Sequence, residues 1–258
     1  MPPSGKQPLT VRLAATEAEI EGAQKLRFEV FNRIRDAAFS EESTRAKRDL
    51  DVYDPYCDHL IVIDPERADD EDGGLVGTYR MMTRSRRPAD PGFYSDEYYD
   101  LSCFDNVDGE IVEMGRVCID PEYQARGAMM LLWKGIAEYV LANDIRILFG
   151  CAGVDGTDPS VHAGFLSYLH HKHLAPERIR PVARGPHRLE FELLPLSDVD
   201  EAAALKQIPS IIRGYSRMGG YIGEGAVANR RFNTTMVCVV VEMAGVTRRY
   251  MRRFIGER

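Results

Sequence analysis

Apolar positions along the chain fall into short runs with two different periods. Residues 10–14, 59–63 and 75–82 are rich in alternating or β-branched apolar side chains, which predicts strands. Between the first two, Ala23, Leu26, Val30 and Phe31 recur at helical spacing and predict a helix that ends near Phe31. Thr16, with Glu19 three residues later, is a capping-box signature for its start. An acidic turn over 66–74 makes the second and third strands a hairpin.

Residues 33–58 are polar and acidic, and predict a loop or short helix. Residues 84–109 show no clean period. Further on, the pattern predicts a buried strand over 111–120, a helix over 127–143 and a short strand over 146–150. A helix opening at Asp158-Pro159-Ser160 is expected to run to about His171. Weak alternation over 187–193 predicts another strand. A helix over 201–217 is interrupted near Pro209, and residues 232–242 predict a strong last strand. Residues 1–9 are expected to be disordered. The rest forms one mixed α/β (α+β) domain, 10–258, with a basic C-terminal extension from about 201.

Composition changes this picture little. With 258 residues, 44% hydrophobic and 28% charged, the chain has the balance of a globular protein. It has neither a membrane-length apolar run nor a leader pattern, so a cytoplasmic protein is expected. Five widely spaced cysteines without metal-ligand spacing predict reduced thiols. His170, His171 and His173 read as a solvated helix end, and no metal is expected.

Charge adds more. Residues 206–258 hold ten Lys or Arg and three Glu, 10 − 3 = +7, so residues 1–205 carry −7 − 7 = −14. A basic end suits an acidic partner or an anionic membrane surface, or it is a solvated face. Residues 248–255 segregate aromatic and aliphatic side chains from arginines at helical spacing, as a helix lying on a membrane or docked on the domain would. Nucleic acid is not expected, since the chain as a whole is acidic.

The chemistry concentrates in Glu113-Met114-Gly115-Arg116-Val117. A carboxylate and a guanidinium inside an apolar run cost free energy unless paired. They form either a structural ion pair or an active-site edge. Strand geometry points Glu113 and Arg116 to opposite faces, and a bulge at Gly115 would bring them onto one. The turn Gln124-Ala125-Arg126-Gly127 then feeds a helix N-terminus, where unpaired N–H groups favour phosphate.

That turn resembles the pyrophosphate arm of the GNAT acyltransferase superfamily, with Gln124 and Gly127 matching and Met129 at the sixth place. Arg27-Phe28-Glu29-Val30-Phe31, Asp51-Val52-Tyr53-Asp54, Arg80 and Glu113–Arg116 follow the order seen in acyl-homoserine-lactone synthases. The segments Ile208–Gly220 and Asn229–Thr235 are similar to signatures of the bacterial L-ornithine Nα-acyltransferase family.

The resemblance implies a GNAT-like fold, a mixed central sheet flanked by helices. It implies an N-acyltransferase moving a 3-hydroxyacyl group to the α-amine of L-ornithine, to give lyso-ornithine lipid. Catalysis falls to Glu113, as base, and Arg116. Arg27, Phe31, Asp51, Asp54 and Arg80 become acceptor-binding residues; Val117, Gln124, Arg126 and Gly127 become donor-binding ones. No tightly bound cofactor is implied. The donor is expected on the phosphopantetheine of an acyl carrier protein rather than on coenzyme A, because Met129 departs from the pyrophosphate pattern. Another acceptor amino acid, a homoserine-lactone-type product and a non-catalytic lipid-binding module remain as alternatives. Arg27 on an exposed helix face and Phe31 as core packing are the structural alternatives for those two residues. Arg178, Arg180, Arg184, Arg188, Arg213, Arg217, Arg230 and Arg231 are candidates for docking the acidic carrier.

Overall fold

The computed structural model describes residues 7–35, 37–70 and 72–246. In chain order its main elements begin with β1 (Thr10–Leu13), α1 (Glu17–Arg35), α2 (Glu41–Ala46), β2 (Asp58–Ile63) and β3 (Leu75–Thr83). They continue with β4 (Tyr99–Asp100), β5 (Glu110–Ile119), α3 (Ala128–Ala142), β6 (Ile145–Asp155) and α4 (Pro159–His173). Then come β7 (Val182–Ala183), β8 (Arg188–Leu189), α5 (Glu201–Gln207), α6 (Ser210–Arg217), β9 (Tyr221–Ile222), β10 (Ala226–Asn229) and β11 (Thr234–Glu242).

The chain divides into two compact units, and β5 begins in one and ends in the other. Of the described residues, the first comprises those from 7 to 82 and from 114 to 143. Here β1 pairs with β2 and β2 with β3, all antiparallel, and the hairpin expected at 66–74 is present. Thr16 and Glu19 exchange the two reciprocal capping-box hydrogen bonds, each 3.3 Å. Ala23, Leu26 and Val30 of α1 bury against Ile61, Leu75 and Cys118, with Phe31 packed beside them. Each Leu, Val or Ile among them is worth roughly 1.5–3 kcal/mol when fully buried. Helix α3 lies so close to β1 and β2 that a Cβ on Gly135 would come within 2.7 Å of Leu60 and 3.1 Å of Val11.

Of the described residues, the second unit holds 83–113 and 144–246. Its strands are the start of β5, parallel to β6, then β11, β10 and β8 in antiparallel order, with β9 also against β11. The aperiodic stretch 84–109 is not a free loop. Arg84 donates to the carbonyls of Phe104, Val107 and Gly109, and Phe93 and Phe104 pack on the buried ring of Phe149.

One expectation needs correction, and one element goes unannounced by the pattern. The strand predicted over 187–193 shrinks to β8, because the chain beyond it finds side-chain partners instead. Leu194 N–H donates to Ser167 Oγ, and its carbonyl meets the ring of His171, both on α4. Strand β10 is not visible in the pattern. Its Ala-Val-Ala-Asn has little strand propensity, but it is paired on both sides and wholly buried. Residues 248–255 lie outside the described residues.

Replacing Gly135 by Val should overpack the α3 contact and lower stability by about 1–3 kcal/mol. Urea unfolding of the two proteins measures it.

Candidate active site

In the first unit, residues distant in sequence converge on one buried ion cluster. Arg27, from α1, is fully buried, not on an exposed helix face. Its Nε donates to Asp49 Oδ2 at 2.9 Å, and its Nη2 reaches Asp54 Oδ2 at 2.9 Å and the Asp49 carbonyl at 2.6 Å. Arg80, on β3, donates to Asp51 Oδ1 at 2.6 Å and Asp54 Oδ1 at 2.8 Å, and lies over the Tyr53 ring. Arg116, on β5, reaches Asp49 Oδ2 at 3.2 Å and Asp51 Oδ2 at 3.1 Å. Three guanidiniums thus face three carboxylates. Burial alone would push the Asp51 carboxyl pKa up; the charges of Arg80 and Arg116 outweigh it and leave it well below the ordinary range. Asp54 is lowered in the same way against burial, by Arg27 and Arg80. His59 pairs across the hairpin with Arg80, and burial lowers its pKa, so it adds no charge at neutral pH.

The carboxylates differ in spare capacity. Asp54 accepts from Arg27 and Arg80 on Oδ1 and from Arg27 and Gln24 on Oδ2. Two oxygens offer about four lone-pair sites, and each Asp54 oxygen faces two donors, with Arg27 Nη2 shared between them. Asp51 accepts from Arg80 and from its own turn's Tyr53 N–H on Oδ1, and from Arg116 on Oδ2. One site on Oδ2 is left over.

Strand β5 departs from regularity at Arg116, which takes a left-handed φ of 56°. This relocates the expected irregularity. Gly115 does not have a positive φ, and a Cβ there would sit 4.0 Å from Arg80 Nη2, an ordinary contact. A non-glycine residue in this region is held there by its surroundings at a cost of order 1–3 kcal/mol. The ion pairs to Asp49 and Asp51 supply that hold.

In the second unit, Glu113 is 5% exposed. The β5–β6 ladder ends at the pair Glu113↔Phe149. The carboxylate is gripped by consecutive backbone amides: Tyr94 N–H donates to Oε2 at 2.8 Å and Ser95 N–H to Oε1 at 2.7 Å. A carboxylate oxygen offers about two lone-pair sites, and each amide takes one. Arg116 has Asp49 and Asp51 among its ion-pair partners. Cys151 Sγ lies 3.4 Å from Ser95 Oγ; burial pushes its thiol pKa up to about 12, so it stays protonated and is a poor nucleophile.

After β5, residues Pro121–Arg126 form a 3-10 turn and Gly127 takes φ 85°, which leads directly into α3. Arg126 donates to Asp64 Oδ2 at 2.9 Å and stacks over Tyr123, whose hydroxyl shares the same oxygen. Gln124 is exposed, Val117 half-buried, and the space beside Gly127 is open.

The model of the acetyltransferase (GNAT) domain matches residues 26–134, a span holding Arg27, the three aspartates, Arg80, Glu113, Arg116 and the turn. An L-ornithine N(alpha)-acyltransferase from Agrobacterium fabrum is 37% identical over 251 residues, covering 96% of this chain and 86% of the relative. One from Rhodobacter capsulatus is 38% identical over 251 residues, covering 95% and 96%. The chain belongs to the L-ornithine Nα-acyltransferase family. Among solved structures, an N-acyl amino acid synthase from uncultured soil microbes aligns with TM-score 0.55 at 11% identity, over 98% of this chain and 97% of that one. A CoA-dependent acyl-homoserine lactone synthase gives 0.55 at 12%, over 95% and 87%. Both likenesses speak for the fold, which is GNAT-like as expected, and the chain is an N-acyltransferase.

In this acyltransferase several basic residues expected to meet a carrier are engaged internally. Arg178 forms a two-pronged pair with Glu242, Arg180 reaches the Ala175 carbonyl and Glu224, and Arg184 reaches the Asp96 carbonyl. Arg213, Arg217 and Arg230 are exposed. Sequence reasoning does not reach Asp49 or the amides of Tyr94 and Ser95. The repeated acidic positions 49, 51 and 54 are a usable signal for the first. Backbone donors leave none. Among the described residues, no group of three or more His, Cys, Asp or Glu is arranged to hold a metal, and no helix is long and apolar enough to cross a membrane.

Asp54→Asn should leave a guanidinium uncompensated and cost about 3–5 kcal/mol at neutral pH. Asp51 and Asp54 have folded pKa values below their unfolded ones, so their stabilisation is complete above the ordinary value of 3.8 and is lost as pH falls below it. The variant's stability should therefore decline less steeply in acid than the wild type's. Denaturant unfolding across the acid range reads both effects.

Proposed function

We propose that this enzyme moves a 3-hydroxyacyl group from acyl carrier protein to the α-amine of L-ornithine, giving lyso-ornithine lipid. The observation that carries the reading is the buried Glu113 carboxylate, fixed by two consecutive backbone amides. A binding module has no need of such a group; an amine that must shed a proton does. Ornithine as acceptor is supported by the relatives that match nearly the whole chain.

In this reading the amine nitrogen attacks the thioester carbonyl carbon, Glu113 accepts the amine's proton, and the C–S bond breaks. The leaving sulfur takes up that proton from Glu113 and departs as the free thiol, which restores the carboxylate. Backbone N–H groups along Gly115–Val117 stabilise the oxyanion, and no acyl-enzyme forms. Arg116 serves the site by fixing Asp51, whose vacant lone pair is the place for the acceptor's side-chain ammonium. Arg27, Arg80 and Asp54 hold that arrangement, with Phe31 packed beneath α1. Gln124, Arg126 and Gly127 lie along the donor's phosphopantetheine. A carrier protein is favoured over coenzyme A because Arg126 is already engaged by Asp64. The exposed Arg213 and Arg217 on α6 then face the acidic carrier. Any contact with a membrane is peripheral, through the basic C-terminus, and the enzyme works in the cytoplasm.

Glu113→Gln should lower kcat by about 10²–10⁴-fold. Its amide nitrogen cannot accept an N–H, so one cradle bond is lost as well; thermal midpoints must show that the fold persists. Wild-type turnover across the pH range would remove Glu113 as base. Mass spectrometry with a panel of amino acids, against carrier-bound and coenzyme A-bound chains, tests acceptor and donor together. Arg213→Glu with Arg217→Glu should raise KM for the carrier-bound donor several-fold at low salt and leave KM for ornithine unchanged.

A further inference from the structure

Tyr94 touches the proposed base with one end and a distant hairpin with the other. Its main-chain N–H holds Glu113 Oε2, and its hydroxyl accepts a 2.7 Å hydrogen bond from Asn229 Nδ2. Asn229 closes β10 and is 2% exposed. Its Oδ1 accepts from Phe232 N–H at 3.2 Å, across the turn into β11, so the amide is held on both sides. Exchanging its oxygen and nitrogen would set a donor against that N–H, which fixes its orientation. The Tyr94 ring also packs 5.4 Å from that of Tyr98.

A tyrosine has few soft torsions, so fixing its hydroxyl constrains the backbone that carries it. Here the backbone belongs to the short 3-10 turn Tyr94–Glu97, whose first two amides meet the two oxygens of Glu113. A tilt of that turn rotates the carboxylate as a unit and redirects its lone pairs. Ser95, fully buried beside Cys151, pins the other amide.

We infer that Asn229, acting through Tyr94, is a positioning residue that sets the direction from which Glu113 receives a proton. The inference rests on Glu113 as the base. It also gives the segment Asn229–Thr235 a physical role, since its turn presents one amide group to a residue 135 positions away in sequence.

The experiment uses the full chain with 3-hydroxyacyl carrier protein and L-ornithine, over a range of pH. Asn229→Leu removes the donor at similar volume, and Tyr94→Phe removes the acceptor while keeping the ring. Misplacement near a reacting centre can cost on the order of 10²-fold, so each should lower kcat roughly 10–100-fold, with KM for ornithine within about twofold. Each should also displace the limb of the pH–kcat profile that Glu113→Gln abolishes. The double variant should be no slower than the slower single one, since both act through one contact. Unchanged kcat in Tyr94→Phe, or losses that multiply in the double variant, would overturn the inference. If Asn229→Leu does not fold, Tyr94→Phe alone carries the test. An inactive Glu113→Gln beside a fully active Tyr94→Phe would defeat only the positioning role, whereas an active Glu113→Gln would defeat the base itself.

Discussion

Three arginines and three aspartates neutralise one another inside the first unit, and much of the local architecture follows from keeping that balance. Burying six ionised groups is unfavourable unless nearly every donor and acceptor is used. The demand reaches into four separate stretches of chain. It draws Arg27 inward from α1, Arg80 from β3 and Arg116 from β5, and folds the 49–54 segment around them. The left-handed backbone at Arg116 is the local strain that this arrangement sustains.

The proposed chemistry divides along β5 in the same spirit. Glu113 accepts from main-chain amides, and Arg116 donates to carboxylates. A base must keep lone pairs accessible, and neutral amides fix a carboxylate without cancelling its charge. An arginine that orders an aspartate has the opposite requirement, since its hydrogen bonds should all be spent.

Much of this is readable in the sequence because it rests on local rules. The capping box at Thr16, the α1 stripe, the 66–74 hairpin and the Pro209 interruption each involve neighbours only a few residues apart. The charged residues in the apolar run of β5 announce themselves by cost. What stays hidden depends on distant partners. No local pattern tells that Arg27 points inward to Asp49, that Tyr94 and Ser95 lend their amides to Glu113, or that β10 becomes a strand by being flanked. Residue preference points to Gly115 for the irregularity in β5. It lies at Arg116 because ion pairs from another part of the chain override that preference.

Asp54's full complement of hydrogen bonds carries one more implication. A cluster whose charges pair off projects little electric field, so it does little to attract or repel an approaching ion until contact. In the proposed reading, selection at such a place depends on the open position at Asp51 Oδ2, and dissolved salt has little there to screen. The exposed arginines of α6 are open to that screening. Ionic strength therefore acts on how molecules arrive at this protein far more than on how its interior tells one from another.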